Sequence, residues 1–420
     1  MIGEEMLRFI ADLYPICRSI TGDGVRRTLA KVGERIPLQI HEVPSGTQVF
    51  DWNVPREWNI RDAWIKDPHG RKIVDFQHLN LHVLNYSVPV HKKVSLAPLK
   101  EHLFTLPDQP GLVPYRTSYY KEAWGFCMAH HQWLGLEEGE YEVCIDSTLE
   151  DGSLTYGECF LKGETEREVL ISCHVCHPSL CNDNLSGLAV CTFLAEELAK
   201  APRRLSYRFV FIPGTIGSIT WLALNDSSRI AAGLVAANLG DPGHFHYKKT
   251  RDGNAEIDRA VLQVLRGQEH GVEEFVPFGY DERQYSSPGF KLPVGSLTRT
   301  PYGRYPEYHT SADNLDFIKA ESLEGSLATY RSVMNVLEGN RRYQNLNPNC
   351  EPQLGRRGLY RMIGGDDSGR QRELALLWVL NFSDGEHGLL DIAERSGMPF
   401  EAIQAAAEAL LEVELLREIP

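Results

Sequence analysis

The sequence predicts an α/β protein: a mostly parallel, doubly wound sheet with a small β-rich insertion, followed by an α-rich C-terminal domain. Three observations predict it. Between residues 141 and 337 strand-like and helix-like patterns alternate, as when crossover helices join parallel strands. Between 55 and 113, short apolar runs holding Trp58, Trp64, Phe76 and Tyr86 are cut by prolines and glycines, as in a small all-β module. From residue 370 on, three short helical patterns are spaced as in a helix–turn–helix, with Gly397 in the turn.

Taken in order, residues 4–14 and 25–36 have helical periodicity, separated by Thr21-Gly22-Asp23-Gly24, and 37–43 alternate like a strand. The insertion follows. An aromatic stretch with Tyr119, Tyr120, Trp124 and Phe126 then returns the chain to the main body, either as core or as a pocket wall. Strands are expected at 141–147, 169–173, 207–212 and 234–238, and helices at 185–199, 255–266 and 323–337. Residues 341–369, rich in Arg, Asn, Gly and Pro, read as a linker or wing-like hairpin, and helices are expected at 373–382, 389–396 and 400–411. The expected domains are 1–54 with 114–345, the insertion 55–113, and 350–420.

With 420 residues and a hydrophobic fraction of 42%, the chain can build a large core. Its net charge of -14 argues against a phosphate-neutralising surface. The C-terminal pattern is no exception: from residue 373 onward ten acids face only Arg395 and Arg417, too few bases to hold a DNA backbone. Nine cysteines lack secreted-type spacing, and no apolar run is long enough to span a bilayer. The expectation is a cytoplasmic protein that binds neither nucleic acid nor membrane, forms a homo-oligomer, and acts on a small-molecule or peptide-like substrate.

Chemistry concentrates where the β-branched run from Val169 delivers C-H-V-C-H-P-S-L-C-N-D-N-L-S-G. His174 falls at the end of a buried strand, where open α/β sheets bind ligands. Asp183 lies nine residues on, where a carboxylate can bridge two metals. His309, four residues before Asp313, and Asp241, in a loop after a strand, complete a candidate zinc set. Asp313 would either orient His309 or cap the next helix. Cys173, Cys176 and Cys181 offer a rival thiolate site, although alternation at a strand end turns Cys173 away from His174. Arg304, Tyr305 and Tyr308, beside His309, are expected to contact substrate; an arginine there can clamp a carboxylate.

The D-N-L-S-G and H-T-S-A-D-N motifs resemble those of the zinc aminopeptidase and glutamate carboxypeptidase clan. More closely, I-C-R-S-I-T-G-D-G-V-R, F-D-W-N-V-P-R-E-W, T-S-Y-Y-K-E-A-W-G-F-C and Y-P-E-Y-H-T-S-A-D-N-L-D-F resemble a bacterial family that joins an aminopeptidase-like domain to an inserted β module and a C-terminal winged helix. The resemblance implies a sheet of the zinc aminopeptidase type, one or two zinc ions, and hydrolysis of a peptide or amide bond in polysaccharide or secondary-metabolite biosynthesis. It implies His174 on one zinc, His309 on the other, Asp183 bridging and Asp241 as the remaining carboxylate. Two positions depart from the pattern. Cys176 stands where the clan has an aspartate, and Gly214 where the family keeps a catalytic glutamate. Amide cleavage still needs a proton carrier, for which Glu282, Glu307 and His177 are the candidates. The alternative is a catalytically impaired binding protein on the same scaffold.

Overall fold

The computed structural model describes residues 1–359 and 367–419. They form two compact units, residues 1–253 with 269–328, and residues 254–268 with 329–420. The first unit is built on an eight-stranded mixed sheet: β1 (Gln39–Pro44), β2 (Ser153–Leu161), β3 (Glu168–His174), β4 (Ser206–Ile212), β5 (Ile230–Ala236), β6 (Phe245–Lys248), β7 (His270–Glu273) and β8 (Val294–Thr298). The spatial order is β1-β2-β4-β3-β5-β8-β6-β7.

The four central strands, β4, β3, β5 and β8, run parallel. Their apolar runs are what doubly covered strands require; every residue of β3 is buried. The flanks differ from the parallel expectation. β2 pairs antiparallel with both β1 and β4, and β6 pairs antiparallel with β8. These flanking strands carry polar residues such as Glu158, His246 and Lys248, so they lack the continuous apolar runs that mark the centre.

The strand expected at 141–147 forms as Glu140–Glu150, but it joins a second sheet instead of the main one. It lies between Glu57–Lys66 and Val90–Ser95, with Lys72–Asp75 on the outer edge, all antiparallel. Alternate burial along this strand shows one face packed and one wet; that pattern fits either sheet. Trp58, Ala63, Ile65, Val143 and Ile145 share one hydrophobic core with Leu170, Val210 and Ile212 of the main sheet.

In the second unit, helices Asp367–Phe382, Leu389–Ser396 and Phe400–Glu412 pack with the three strands Asp384–Gly388, Arg342–Asn345 and Leu416–Ile419. Gly397 ends the middle helix at φ 72, a left-handed position that glycine takes without strain. The expected wing-like hairpin at 341–369 is a single strand over Arg342–Asn345 paired to both neighbours; its residues 360–366 lie outside the described residues. Helix Glu256–Leu265 belongs to this unit, where Arg259 pairs with Asp391 and Glu394. Among the described residues no helix is long and apolar enough to cross a membrane.

Candidate metal centre

His174 is the last residue of β3, so the buried strand delivers its imidazole to the carboxyl end of the sheet. The chain then turns through Pro178 and re-enters at Cys181–Ser186, where Asp183 departs from helical geometry before the apolar helix Gly187–Ala199 begins. Asp183 is fully buried. One carboxylate oxygen lies 2.9 Å from His174 Nε2 and the other 2.9 Å from His309 Nε2. His177 Nδ1 lies 4.0 Å from the first oxygen and is buried without any hydrogen-bond partner. His309 holds a left-handed backbone, φ 56, that swings its ring back into the cluster, flat against Tyr308 at 3.9 Å. Tyr115 sets its ring edge-on to both His177 and His309.

Burial alone would raise the Asp183 carboxyl. The charge of His177 and the hydrogen bonds of His174 and His309 overcome it and hold the group well below the usual carboxylate range. Burial also drives His177 well below the usual imidazole range, against the pull of Asp183. Asp313 accepts from the backbone N–H groups of Asn182 and Asp183, at 2.5 and 3.0 Å. It therefore fixes the Asp183 loop; the contacts that orient His309 come from tyrosines. Burial pushes the Asp313 carboxyl up to about 7 despite those two donors.

Several expected residues fall elsewhere. Asp241 is not in the cluster: its oxygens accept from Thr300 Oγ1, Gly243 N–H and Asn182 Nδ2. Asn238, three residues earlier, has a left-handed φ of 52 and turns the loop after β5, while its amide binds Tyr280 and Tyr305. Tyr305 is buried, and its hydroxyl donates to the Asn238 side-chain oxygen at 3.3 Å. Arg304 pairs with Glu273. Glu282 is ion-paired to Lys248 at 2.7 Å, away from the histidines. Glu307 lies two residues before His309, and its backbone carbonyl accepts from Thr310 Oγ1; among the described residues the metal-capable group is His174, His177 and Asp183. No thiolate site forms there either; burial pushes the Cys176 thiol up to about 12.

His174 and His177 open onto a cleft of about 370 Å³. Its walls include Ile20, Ile216, Ile219, Trp52, Tyr119, Tyr120, Tyr280 and Tyr308. The aromatic stretch therefore divides: Tyr119 and Tyr120 face the cleft, Phe126 is core, and Trp124 stacks on His102. The two departures from the clan pattern, Cys176 and Gly214, touch one another. The Gly214 N–H donates to Cys176 Sγ at 3.2 Å.

Sequence reasoning missed Asp281. It is buried on the cleft wall, and one oxygen accepts from Thr215 N–H and Ser218 Oγ at 2.7 and 2.8 Å. Burial raises its carboxyl. The only signal was its place beside Glu282, one of the candidate proton carriers.

The donor set suits zinc. A buried carboxylate, two imidazoles and a third, His177, whose buried nitrogen has no other partner are what a zinc site offers before loading. The fold around it is that of the zinc aminopeptidases. The aminopeptidase BSAP of Bacillus subtilis superposes with a TM-score of 0.58 over 79% of this chain and 94% of its own, at 12% identity. An M28 peptidase precursor of Shewanella amazonensis gives 0.57 over 80% and 93%, at 13% identity.

Residues 7–340 match the family described as a domain of unknown function, DUF4910, and the chain belongs to it. Residues 341–418 match a winged helix-turn-helix family. A Clostridium acetobutylicum protein named for polysaccharide biosynthesis and an aminopeptidase-like domain is 54% identical, covering 99% of this chain and 96% of its own. A crystal structure from that organism, named for a peptidase, superposes with a TM-score of 0.94 at 53% identity, over 99% of this chain and 96% of that one.

Proposed function

We propose that the protein is a zinc-dependent hydrolase of the aminopeptidase type. It cleaves a peptide or amide bond in a small or peptide-like substrate, in polysaccharide or secondary-metabolite biosynthesis. The observation that carries this is the convergence of His174, His177 and His309 on the buried, ionised Asp183 at the floor of a cleft. The name of the Clostridium relative supports the setting.

His174, His177 and Asp183 would hold one ion, and His309 the far side of Asp183. Among the described residues that far side has no further carboxylate, because Asp241 is committed to its loop, so one ion is favoured over two. Zinc supplies a Lewis acid that activates water and stabilises charge on a carbonyl oxygen. The chain supplies the rest. His177 Nδ1 is buried with no other partner, Asp313 holds the Asp183 loop, and aromatic side chains wall the cleft. Asp281, on the cleft wall and tied to the residue after Gly214, takes the proton-carrying role for which Glu282, Glu307 and His177 were the alternative candidates.

Gly214 favours a second reading, a binding protein that has lost its catalytic acid. Metal analysis separates the first reading from none at all. About one zinc per chain is expected after zinc-supplemented expression, falling below about half an equivalent in His174→Ala. Equal, low zinc in both would reject the site. Normal zinc with no hydrolysis of any aminoacyl amide would favour the binding protein.

A further inference from the structure

A second cavity, of about 220 Å³, lies on the other side of Tyr280 from the histidine cluster, and Tyr280 lines both. Its floor holds Glu282, only 1% exposed. One oxygen of Glu282 accepts from Lys248 Nζ at 2.7 Å; the other, Oε2, is buried with no hydrogen-bond partner. A buried carboxylate oxygen without a donor is costly unless something outside the protein supplies one. Nothing in the metal centre uses this group.

We propose that this cavity binds a neutral, polyhydroxylated group, a sugar ring. Three features select that chemistry. Glu282 Oε2 requires a donor, which a hydroxyl provides. Charged side chains on the wall cancel in pairs, Lys248 with Glu282 and Arg304 with Glu273. A cationic ligand would therefore meet the largely buried Lys248 and an anionic one the buried Glu282, each a desolvated like-charge contact that disfavours binding, while the more exposed Arg304 and Glu273 neutralise each other. At the rim Phe278, 63% exposed, and Tyr302 present aromatic surface 6.1 Å apart, against which the C–H face of a sugar can lie. The volume is below that of pockets for drug-sized ligands and suits one ring. Binding here does not require the metal, so this inference stands or falls separately from the hydrolase reading.

The test is saturation-transfer NMR on the whole chain with glucose and N-acetylglucosamine as neutral probes, and glucosamine and glucuronate as charged ones. The expected result is transfer to at least one neutral sugar, with dissociation constants on the order of 1 mM and none to the charged pair. Phe278→Ala, at an exposed site, and the near-isosteric Glu282→Gln each weaken binding by about fivefold or more. His174→Ala, which removes a metal ligand, leaves it unchanged. No transfer from either neutral sugar at about 20 mM, equal binding of the charged sugars, or full binding by both cavity variants would overturn the proposal.

Discussion

Replacing Gly214 by glutamate tests whether one missing carboxylate limits this site. The backbone there accepts a side chain. A Cβ would lie 3.4 Å from Cys176 Sγ and 3.6 Å from His174 Cβ, ordinary van der Waals contacts, and Gly214 is not in the left-handed region. The new side chain would therefore leave the loop between Cys176 and His174, toward the cleft that all three residues line. Losing a glycine contributes roughly 0.4–1 kcal/mol of stability through the unfolded chain. Crowding a carboxylate into a half-buried position offsets that, so the melting temperature should hardly move. A positioned acid or base contributes about 10²- to 10⁴-fold, and at 1.36 kcal/mol per factor of ten this is about 2.7–5.4 kcal/mol of barrier. The assay is hydrolysis of a panel of aminoacyl p-nitroanilides by zinc-loaded protein, beside zinc titration by calorimetry. An added carboxylate next to His174 should also tighten zinc by about tenfold or more, a readout that needs no substrate. A folded Gly214→Glu protein with neither tighter zinc nor faster hydrolysis would refute the placement of this position in the site.

Two further outcomes follow from the geometry. Asp241→Ala should leave zinc stoichiometry unchanged but cost about 1–3 kcal/mol of stability by orphaning the donors of Thr300, Gly243 and Asn182; loss of zinc from the folded variant would return Asp241 to the ligand set. Glu57 bears on pH. The hydrogen bond from Arg26 outweighs burial and holds its carboxyl at about 2, against an ordinary 4.5. A depressed carboxyl contributes stability above its unfolded value and loses it as pH falls through the folded one. That shift is nominally about 3 kcal/mol, reduced to about 1 kcal/mol by solvent screening of a partly exposed pair. Glu57→Gln should thus melt lower than wild type at pH 7, with the gap closing between pH 4.5 and 2; a gap that persists at pH 2 would show that packing, not charge, is responsible.

The centre of the fold was legible because buried parallel strands leave apolar runs, and β3 carries one from Val169 to Ile171. The flanking strands were not, because short, partly polar strands carry no comparable mark. His174, Asp183 and His309 were legible as chemistry placed at strand and helix boundaries. The choice between Asp281 and Glu282 was not. Successive helical residues point about 100° apart, so one of these neighbours lines the metal cleft and the other pairs with Lys248 behind Tyr280. The loop bonding of Asp241 was hidden for a related reason. The left-handed turn at Asn238 directs the loop after β5, and a sequence does not show which way such a loop rotates.

The two departures at Cys176 and Gly214 looked independent in the sequence, 38 residues apart. In the fold they are one. Cys176 Sγ accepts the Gly214 N–H, so the thiol ties down the loop from which the clan's acid would project. An aspartate at 176 would be a charged neighbour 3.4 Å from any side chain at 214, and a glutamate there would repel it unless a cation lay between them. Removing both acids together deletes that repulsion along with the chemistry. What remains at the histidines is one carboxylate, Asp183, bonded to His174 and His309 and approached by His177. Asp281 then lies on the same wall, on the far side of Thr215, without a competing acid at 214. On the proposed reading, a thiol and a glycine in place of an acidic pair would be one coherent change of site, with Asp281 from another loop supplying the acid.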